Sequence, residues 1–382
     1  MKYDSRLKTF QELVGQKADL VFIPISADLQ YLTGVPRDFP NFGAVLHPGA
    51  WIEGLWLSPS KQPVLTLPRM TAEFGGLTEQ STVEVRVLGD WDDPSVLAKD
   101  IVERFGLNAG NLRIAIGDRT LGETVSRLQA IYPGATFLSA TEILRPLRMI
   151  KEEDEIATMR EAGAITEAAF ADVLPKLKHG MTELDIIAEV DFQLCRHGGL
   201  GPSFTTSLYN VGPSHELIFG NRESKWHREL HPPVSILFDF GAIHKGYCYD
   251  FGRTVIFGEP DAEALRVYNL VMQSQRAGIE AMQADHATAE SVDAAARQVI
   301  EEAGYGAEFR HRLGHSIGLD VHEPPFLTSG DKTVLREGML FTVEPSILIY
   351  GQCSARVEDV VVVRPNGGEP LTKGFQTLHV VS

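Results

Sequence analysis

The stretch VSILFDFGAIHKGYCYDFGRTV, residues 234–255, decides the fold of the second half of the chain. Two apolar runs flank the sequence HKG, a pattern typical of a β-hairpin. A turn centred between His244 and Lys245 would place Asp239 opposite Asp250, on one face. Directly paired strand residues have Cβ atoms only about 4.5–5.5 Å apart, so the two carboxylates would repel each other unless a cation lay between them.

The stretch GMLFTVEPSILIYGQCSARVEDVVVV, residues 338–363, has the same pattern. Folding it about Gly351 places Glu344 opposite Glu358. In either hairpin alone, an edge or surface position would explain the acids. Four carboxylates in one cavity would be too costly to desolvate unpaired, whereas two divalent cations would neutralise them. The two hairpins together therefore indicate a dinuclear metal site.

A nitrogen ligand would favour Mn, Co, Zn or Fe over Ca at such a site. His315 is the candidate, within HRLGHSIGLDVHEPP, and His322 follows seven residues later. Glycines at 314 and 318 allow close backbone approach there. An isolated histidine is more often a structural residue than a ligand, so spacing alone leaves both interpretations of His315 open.

The order of elements repeats along the second half of the chain. We expect a helix over 152–175, a helix from Thr182 to Gly198-Gly199, a hairpin over 234–257, a long helix after Pro260, a helix over 289–304 and a hairpin over 338–364. Two helix-helix-hairpin units suggest an internal duplication with the site at the seam. An α+β domain with accidental similarity between its halves is the alternative.

The first part of the chain, residues 1–145, alternates helical patterns with β-rich runs, which is typical of an α/β domain. No Gly-rich phosphate loop follows a strand, so nucleotide binding has little support. A boundary is expected at Arg145-Pro146, because proline disfavours helix in the residue before it. The domains are thus 1–145 and 146–382. The predicted strands lie near 18–24, 42–48, 62–68, 83–88 and 112–117.

The composition excludes several classes of protein. The chain has 382 residues and a net charge of −16 without a Lys/Arg block, so nucleic acid and anionic membrane are not expected partners. No apolar stretch is long enough to span a membrane, and the charged N-terminus has no signal-peptide pattern. Three separated cysteines, Cys195, Cys248 and Cys353, fit reduced thiols. We expect a cytoplasmic protein.

Several motifs resemble one known superfamily. They are GHSIGLDVHEPP, GMLFTVEPSI, ARVEDVVVV and FDFGAIHKGYCYDFGRT, with YLTGV and RPLRMIKEEDEI nearer the N-terminus. The set is similar to that of the creatinase/prolidase/methionine aminopeptidase superfamily, peptidase family M24, and closest to the Xaa-Pro dipeptidase and aminopeptidase branch. This resemblance covers the whole chain. It implies a pita-bread catalytic domain preceded by a creatinase-like N-terminal α/β domain.

The resemblance also implies roles for the metal ligands. Asp239 would chelate one metal, Asp250 and Glu358 would bridge both, and His315 and Glu344 would complete the second. Two divalent ions are implied, manganese first, with cobalt, zinc or iron as alternatives. A metal-bridging hydroxide would attack the scissile amide, with Glu344 as proton shuttle.

Two further residues are implied beside the metals. His322 resembles the family histidine that contacts substrate and stabilises the oxyanion. Arg356 should share a strand face with Glu358 and orient that carboxylate by a charge-assisted hydrogen bond. An ordinary surface ion pair is the alternative for this arginine.

The chain departs from the family pattern upstream of Asp239. Relatives carry a histidine, typically in a Pro-His pair, fewer than twenty residues before the first metal aspartate. The best match here is His215, which lies 24 residues before Asp239 and follows a serine. The stretch NRESKWHREL at 221–230 looks like an insertion, so His227 and His231 remain rivals to His215 as catalytic histidine. The family's EPG is also EPS, which puts substrate identity in doubt.

Three functions compete. The leading one is hydrolysis of a peptide bond before proline, by a dipeptidase or an aminopeptidase that acts on small peptides as a homodimer. The second is another amide hydrolase or a lyase of this fold, such as an ectoine hydrolase; the five ligand positions argue against creatinase. The third is a nonenzymatic binding module, which the retained ligands disfavour.

Overall fold

A computed structural model describes residues 3–37, 47–77, 83–216 and 222–382. The chain divides into two compact units, Met1–Arg148 and Met149–Ser382. Proline was expected to disfavour helix in the residue before it, but the helix Ala140–Met149 includes both Arg145 and Pro146. No helix in the described ranges is long and apolar enough to cross a membrane.

The first unit is built on a mixed sheet of six described strands in the order β4-β3-β2-β1-β5-β6. Strands β1–β2 and β2–β3 are antiparallel and the other pairs are parallel. The strands are β1 Leu20–Pro24, β2 Gly54–Leu57, β3 Val64–Pro68, β4 Glu84–Leu88, β5 Arg113–Ile116 and β6 Thr136–Ser139. The helices are α1 Tyr3–Val14, α2 Ala27–Thr33, α3 Arg69–Phe74, α4 Pro94–Arg104, α5 Gly122–Ile131 and α6 Ala140–Met149.

Four of the predicted strands correspond to β1, β3, β4 and β5, which confirms the α/β class of this unit. Strands β2 and β6 were not predicted. The strand expected at 42–48 lies largely outside the described residues. Buried aromatic side chains, among them Phe22, Trp51 and Trp56, fill the core against one face of the sheet.

The second unit contains two pairs of long helices, in the predicted order. Thr182 and Thr288 each cap the second helix of a pair by a reciprocal capping box. Gly198, at φ 96°, lies just past the end of the first capped helix. The helices are α7 Glu153–Val173, α8 Glu183–Arg196, the short α9 Arg222–Trp226, α10 Ala262–Ala281 and α11 Ala289–Glu302.

Each helix pair is followed by an acid-bearing hairpin, so the predicted helix-helix-hairpin repeat is present. Of the sheets described in this unit, the two larger ones have the orders β19-β11-β8-β7 and β13-β12-β14-β17-β18, and β9–β10 and β15–β16 form two-stranded sheets. The strands are β7 Ser207–Val211, β8 Val234–Phe240, β9 Ile243–His244, β10 Tyr247–Cys248, β11 Phe251–Phe257, β12 Gly314–Ser316, β13 Glu323–Leu327, β14 Leu340–Val343, β15 Ser346–Ile349, β16 Cys353–Arg356, β17 Asp359–Arg364, β18 Gly367–Pro370 and β19 His379–Val381.

The first hairpin has a different register from the predicted one. Its turn is Lys245-Gly246, with φ values of 50° and 86°, and not His244-Lys245. A two-residue turn with positive φ at both central positions matches the twist of paired strands, and glycine takes the second position without strain. Asp239 therefore pairs with Gly252, and the prediction that it lies opposite Asp250 is wrong.

The second hairpin has the predicted register. Ser346 pairs with Arg356 in β15–β16, and Val343 pairs with Asp359 in β14–β17. Glu344 lies between these two pairs on one strand, and Glu358 occupies the corresponding position on the other. Folding about Gly351 thus describes the whole hairpin.

The two hairpins meet at Gly252 and Glu358, whose backbones exchange hydrogen bonds of 3.3 and 2.9 Å. A Cβ on Gly252 would lie 2.9 Å from Glu358 Cβ, so only glycine allows this approach. The buried Arg253 guanidinium ties the hairpins together behind this point. It donates to Glu358 O at 2.6 Å, to Asp359 Oδ1 at 2.7 Å and to the carbonyls of Gly374 and Phe375 at 3.0 Å.

Candidate metal centre

Three of the predicted metal ligands form a compact buried cluster. Ligand atoms of Asp250, His315 and Glu358 all lie within 4.8 Å of one another. They come from the first hairpin, from β12 and from the second hairpin, and each residue is at most 4% exposed. Residues far apart in sequence are thus brought into ligating distance by the way the two sheets pack.

The other two predicted ligands border this cluster. His315 Nε2 lies 3.5 Å from Asp250 Oδ2 and 3.6 Å from Glu344 Oε1. Asp239 and Glu344 are linked through Arg356, whose Nη1 lies 2.5 Å from Asp239 Oδ2 and 3.9 Å from Glu344 Oε2. All five predicted ligands therefore lie in one contiguous group.

The orientation of His315 suits a metal ligand. Its Nδ1 lies 3.1 Å from the carbonyl of Ser316. Because a carbonyl only accepts hydrogen bonds, Nδ1 carries the proton and Nε2 presents its lone pair to Asp250 and Glu344. Burial lowers the pKa of His315, which keeps the imidazole neutral. A neutral imidazole held by a hydrogen bond from its other nitrogen is the form that binds metals.

The buried acids of the cluster carry more negative charge than the neighbouring basic side chains neutralise. Burial raises the pKa of Asp250, and the neighbouring Asp239 charge adds to the effect. Burial likewise raises the pKa of Glu358, followed by the charge of Asp250, and it raises the pKa of Glu344 to about 7. Asp250 Oδ1 and Glu358 Oε2 are buried without a hydrogen-bond partner among the described residues. Orphaned carboxylate oxygens beside a free imidazole nitrogen fit divalent cations.

The hydrogen bond that Arg356 was expected to make to Glu358 is made to Asp239 instead. Arg356 Nη2 also lies 3.3 Å from His311 Nε2. The position of Arg356 in its strand predicted the side of the hairpin that it faces. The strand position could not identify the carboxylate that accepts the hydrogen bond from Arg356, because Asp239 belongs to the other hairpin.

His322 lies beside the predicted ligand His315. Its ring centroid is 4.0 Å from that of His315, with the rings edge to face. The side chain is exposed, so a substrate can reach it. Partial burial of the ring and the adjacent His315 both lower the pKa of His322, which favours a neutral ring.

His311 is a site residue that was not predicted from the sequence. Its Nδ1 lies 2.7 Å from the carbonyl of Arg312, so Nε2 is the acceptor; it lies 2.5 Å from Ser346 Oγ and within reach of Arg356. Burial lowers the pKa of His311 to about 4, so it is neutral. Ser346 is the serine of the EPS motif. The predicted hairpin register already paired Ser346 with Arg356, and this pairing was the sequence signal that could have marked Ser346 and its contacts as part of the site.

The three candidates for the upstream histidine differ in environment. His215 is buried in the turn after β7; its Nε2 accepts from the backbone N–H of His231 at 3.3 Å, and burial lowers its pKa. His231 is exposed and pairs with Glu229 at 3.0 Å, and His227 is also exposed. Within the described ranges, no hydrogen bond or ion pair joins any of the three to the five predicted ligands.

The described part of the predicted insertion packs next to the centre. Lys225 of α9 lies 3.5 Å from the buried Glu183 carboxylate, and its Nζ lies 4.9 Å from the centroid of the Tyr209 ring. Arg356 lies 5.5 Å from the same ring. Helix α9 thus reaches Arg356 through one aromatic side chain, that of Tyr209.

Comparison with known proteins agrees with this geometry. An Xaa-Pro dipeptidase of Lactobacillus delbrueckii subsp. lactis is 29% identical over 367 residues, which cover 95% of this chain and 95% of that protein. The structure of a prolidase from Thermococcus sibiricus matches with a TM-score of 0.86 at 26% identity over 100% of both chains. An X-Pro aminopeptidase from Thermotoga maritima matches with a TM-score of 0.81 at 27% identity over 95% of this chain and 98% of that one.

These neighbours confirm the predicted two-domain pita-bread fold. The model of metallopeptidase family M24 matches residues 157–365, a span that includes every predicted metal ligand. With its fold, its cluster of acids and histidine, and this match all in agreement, the chain belongs to metallopeptidase family M24.

Proposed function

We propose that this chain hydrolyses the peptide bond before proline, with two divalent metal ions held by the five predicted ligands. The cluster of Asp250, His315 and Glu358, with its orphaned carboxylate oxygens, carries the proposal. The relatives named as Xaa-Pro dipeptidase, prolidase and X-Pro aminopeptidase support the substrate class. Manganese is the expected metal, and a homodimer in the cytoplasm is the expected form.

Two divalent cations would act as Lewis acids on the scissile carbonyl and lower the pKa of a shared water. The protein supplies the proton acceptor and donor. Glu344 has the role of shuttle, because it borders the cluster and its side chain is 13% exposed, so a substrate nitrogen can approach it. His322, which stacks beside His315, would donate to the oxygen on which charge develops, and Arg356 would hold Asp239 in position.

A second candidate is hydrolysis of a different amide, such as that of ectoine. The observation that favours it is helix α9, in the predicted insertion, whose Lys225 packs on Tyr209 beside Arg356. An added element next to the ligands can reshape the substrate pocket without changing the metal chemistry.

The experiment combines metal analysis with a substrate panel. The purified protein is treated with a chelator, assayed for bound metal, and reconstituted with Mn²⁺ or Co²⁺. It is then tested with Ala-Pro, Gly-Pro, a longer Xaa-Pro peptide and ectoine. We expect loss of activity on chelation, recovery with two metal ions per chain, and turnover of the proline peptides. Full turnover in demonstrably metal-free protein would overturn the mechanism, and turnover of ectoine alone would favour the second candidate.

A further inference from the structure

A buried carboxylate, that of Glu183, holds helix α9 and the residues after it in place. Glu183 is the first residue of α8, and its side chain is fully buried. The side chain of Asn210, in β7, donates a hydrogen bond to this carboxylate. Lys225 Nζ and Arg228 Nη2 each lie 3.5 Å from its oxygens. Because a buried carboxylate is costly unless it is paired, these contacts fix the two cations beside β7.

Lys225 connects this buried pair to the aromatic ring of Tyr209. Its Nζ donates to the carbonyl of Leu208 and lies 4.9 Å from the ring centroid of Tyr209. Ser207 pairs directly with Asp239 across β7–β8, and Tyr209, two residues along the strand, has its side chain on the same face. Burial raises the pKa of Tyr209, and the negative charge of Asp239 adds to the effect, so the two groups lie within electrostatic reach.

The same ring contacts the arginine that binds Asp239. Arg356 Cζ lies 5.5 Å from the ring centroid of Tyr209. Its Nη1 lies 2.5 Å from Asp239 Oδ2, and its Nη2 lies 3.3 Å from His311 Nε2. Its Nε is buried without a hydrogen-bond partner among the described residues. Since no bond at Nε restrains the guanidinium, the aromatic ring is what limits its plane while its fork faces a predicted metal ligand.

We propose that Lys225 and Tyr209 are positioning residues, which hold Arg356 against Asp239 and thereby raise the affinity of the metal ion that Asp239 binds. The inference rests on the dinuclear centre of the proposed function and gives helix α9 a role in it. Groups that orient a metal ligand from outside typically change metal affinity about 10- to 100-fold. Asp239 is the predicted ligand of one metal ion only, so loss of its support should weaken one site and leave the other unchanged.

A purely structural role for these contacts is the alternative, and the chain offers a matched control. Arg310 lies over the ring of Tyr350, with Cζ 4.5 Å from the ring centroid, and both residues are exposed. Arg310→Met therefore removes a contact of the same kind, between a cation and a tyrosine ring, that involves neither Arg356 nor Asp239. It measures what such a contact contributes by itself.

The test titrates the full, metal-free chain with Mn²⁺ in a calorimeter, so that it measures metal affinity and not activity. Tyr209→Leu should weaken one of the two sites about 10-fold, at the lower end of the range for groups outside the ligands. Tyr209→Phe keeps the ring and should keep both wild-type affinities. Lys225→Met should weaken the same site about 2- to 5-fold, as for loss of a cation–π contact. Arg310→Met should leave both sites unchanged.

A double variant shows whether Lys225 acts through Tyr209. In the Tyr209→Leu background, Lys225→Met should cause no further loss of affinity, because the ring through which it acts is already gone. Losses that add in full would overturn the proposed chain of contacts.

The remaining contrary outcomes separate this inference from the proposed function. Unchanged affinities in Tyr209→Leu, an equal loss at both sites, or a matching loss in Arg310→Met would overturn the positioning role and leave the dinuclear centre intact. Binding of fewer than two Mn²⁺ ions per wild-type chain would instead overturn the dinuclear centre itself.

Discussion

The two acid-bearing hairpins of the second unit place their carboxylates by different routes. In the second hairpin, Glu344 and Glu358 occupy corresponding positions on the two strands. In the first, Asp239 pairs with Gly252, and Asp250 lies two residues away from that partner along the strand. A partner shift of two residues keeps a side chain on the same face, whereas a shift of one would reverse it. The predicted metal site therefore depends on which face of the hairpin each acidic side chain occupies, more than on which residue lies directly opposite it.

The shift in the first hairpin has a structural use. The position opposite Asp239 carries no side chain, because it is Gly252. Glu358 of the second hairpin comes into the space left there and forms a backbone bridge with Gly252. A symmetric pairing of acids in both hairpins would have left no such space. The asymmetry thus allows the two hairpins to join.

The largest effect is expected from removing either predicted bridging ligand. Asp250→Asn in the first hairpin and Glu358→Gln in the second should each lose both metals. Activity should fall by more than the roughly 10- to 100-fold that loss of an outer-shell group costs. Elemental analysis beside kinetics measures this, with the exposed Glu161→Gln as control. If either variant still holds two metal ions, the replaced residue does not bridge them. The two hairpins would then contribute unequally to metal binding.

A smaller effect is expected at Glu344, whose partner position is occupied by Glu358. Glu344→Gln keeps one oxygen donor but cannot accept a proton, so turnover should fall about 10²- to 10⁴-fold while KM changes little. Metal content measured on the same sample separates weakened binding from lost proton transfer. A variant with both metals and turnover within a few-fold of wild type would exclude the shuttle role.

The junction between the hairpins can be tested by adding one methyl group. In Gly252→Ala, the new Cβ would lie 2.9 Å from both Cβ and Oε2 of Glu358. We expect destabilisation by about 1–3 kcal/mol, as for overpacking, together with weaker metal binding. Gly122→Ala is the control, because no atom of the described residues lies within 4 Å of the place its methyl group would take. Equal urea midpoints for the two variants would show that the junction is not tightly packed.

The smallest effect is expected at the two turns. Gly246, at φ 86°, and Gly351, at φ 71°, both have left-handed backbone. Replacement by Ala should destabilise each by about 1 kcal/mol, and replacement by Asn should cost less, because Asn tolerates this conformation. Thermal unfolding measures both. Loss of bound metal in only one of the Ala variants would show that its turn also sets the register of the ligands.

Local patterns were enough to predict most of the fold. Alternation and turn residues identified both hairpins, and caps such as Thr182 identified the helices. The register error in the first hairpin came from centring the turn on His244-Lys245, although the glycine that follows marks the second position of a tight turn. The helix Ala140–Met149 runs through Pro146, so the preference of the residue before proline did not mark the end of a helix there.

The parts of the site that were not predicted depend on contacts between elements. The partner of Arg356 is Asp239, in the other hairpin, and no spacing within one hairpin encodes that contact. His311 reaches the site because β12 packs beside β14, which brings it to Ser346. The resemblance to the superfamily assigned His315 and His322 to the site, which the spacing of residues alone could not do.

The buried Arg253 has a consequence for how the protein is made. Two of its acceptors, the carbonyls of Gly374 and Phe375, lie far downstream of the hairpin that carries Arg253, and β19 then pairs with β11. During synthesis at about 5–20 residues per second, the chain adds more than a hundred residues after Arg253 before these partners emerge. The strand at 379–381 must therefore be synthesised before the sheet that carries Asp239 can be complete.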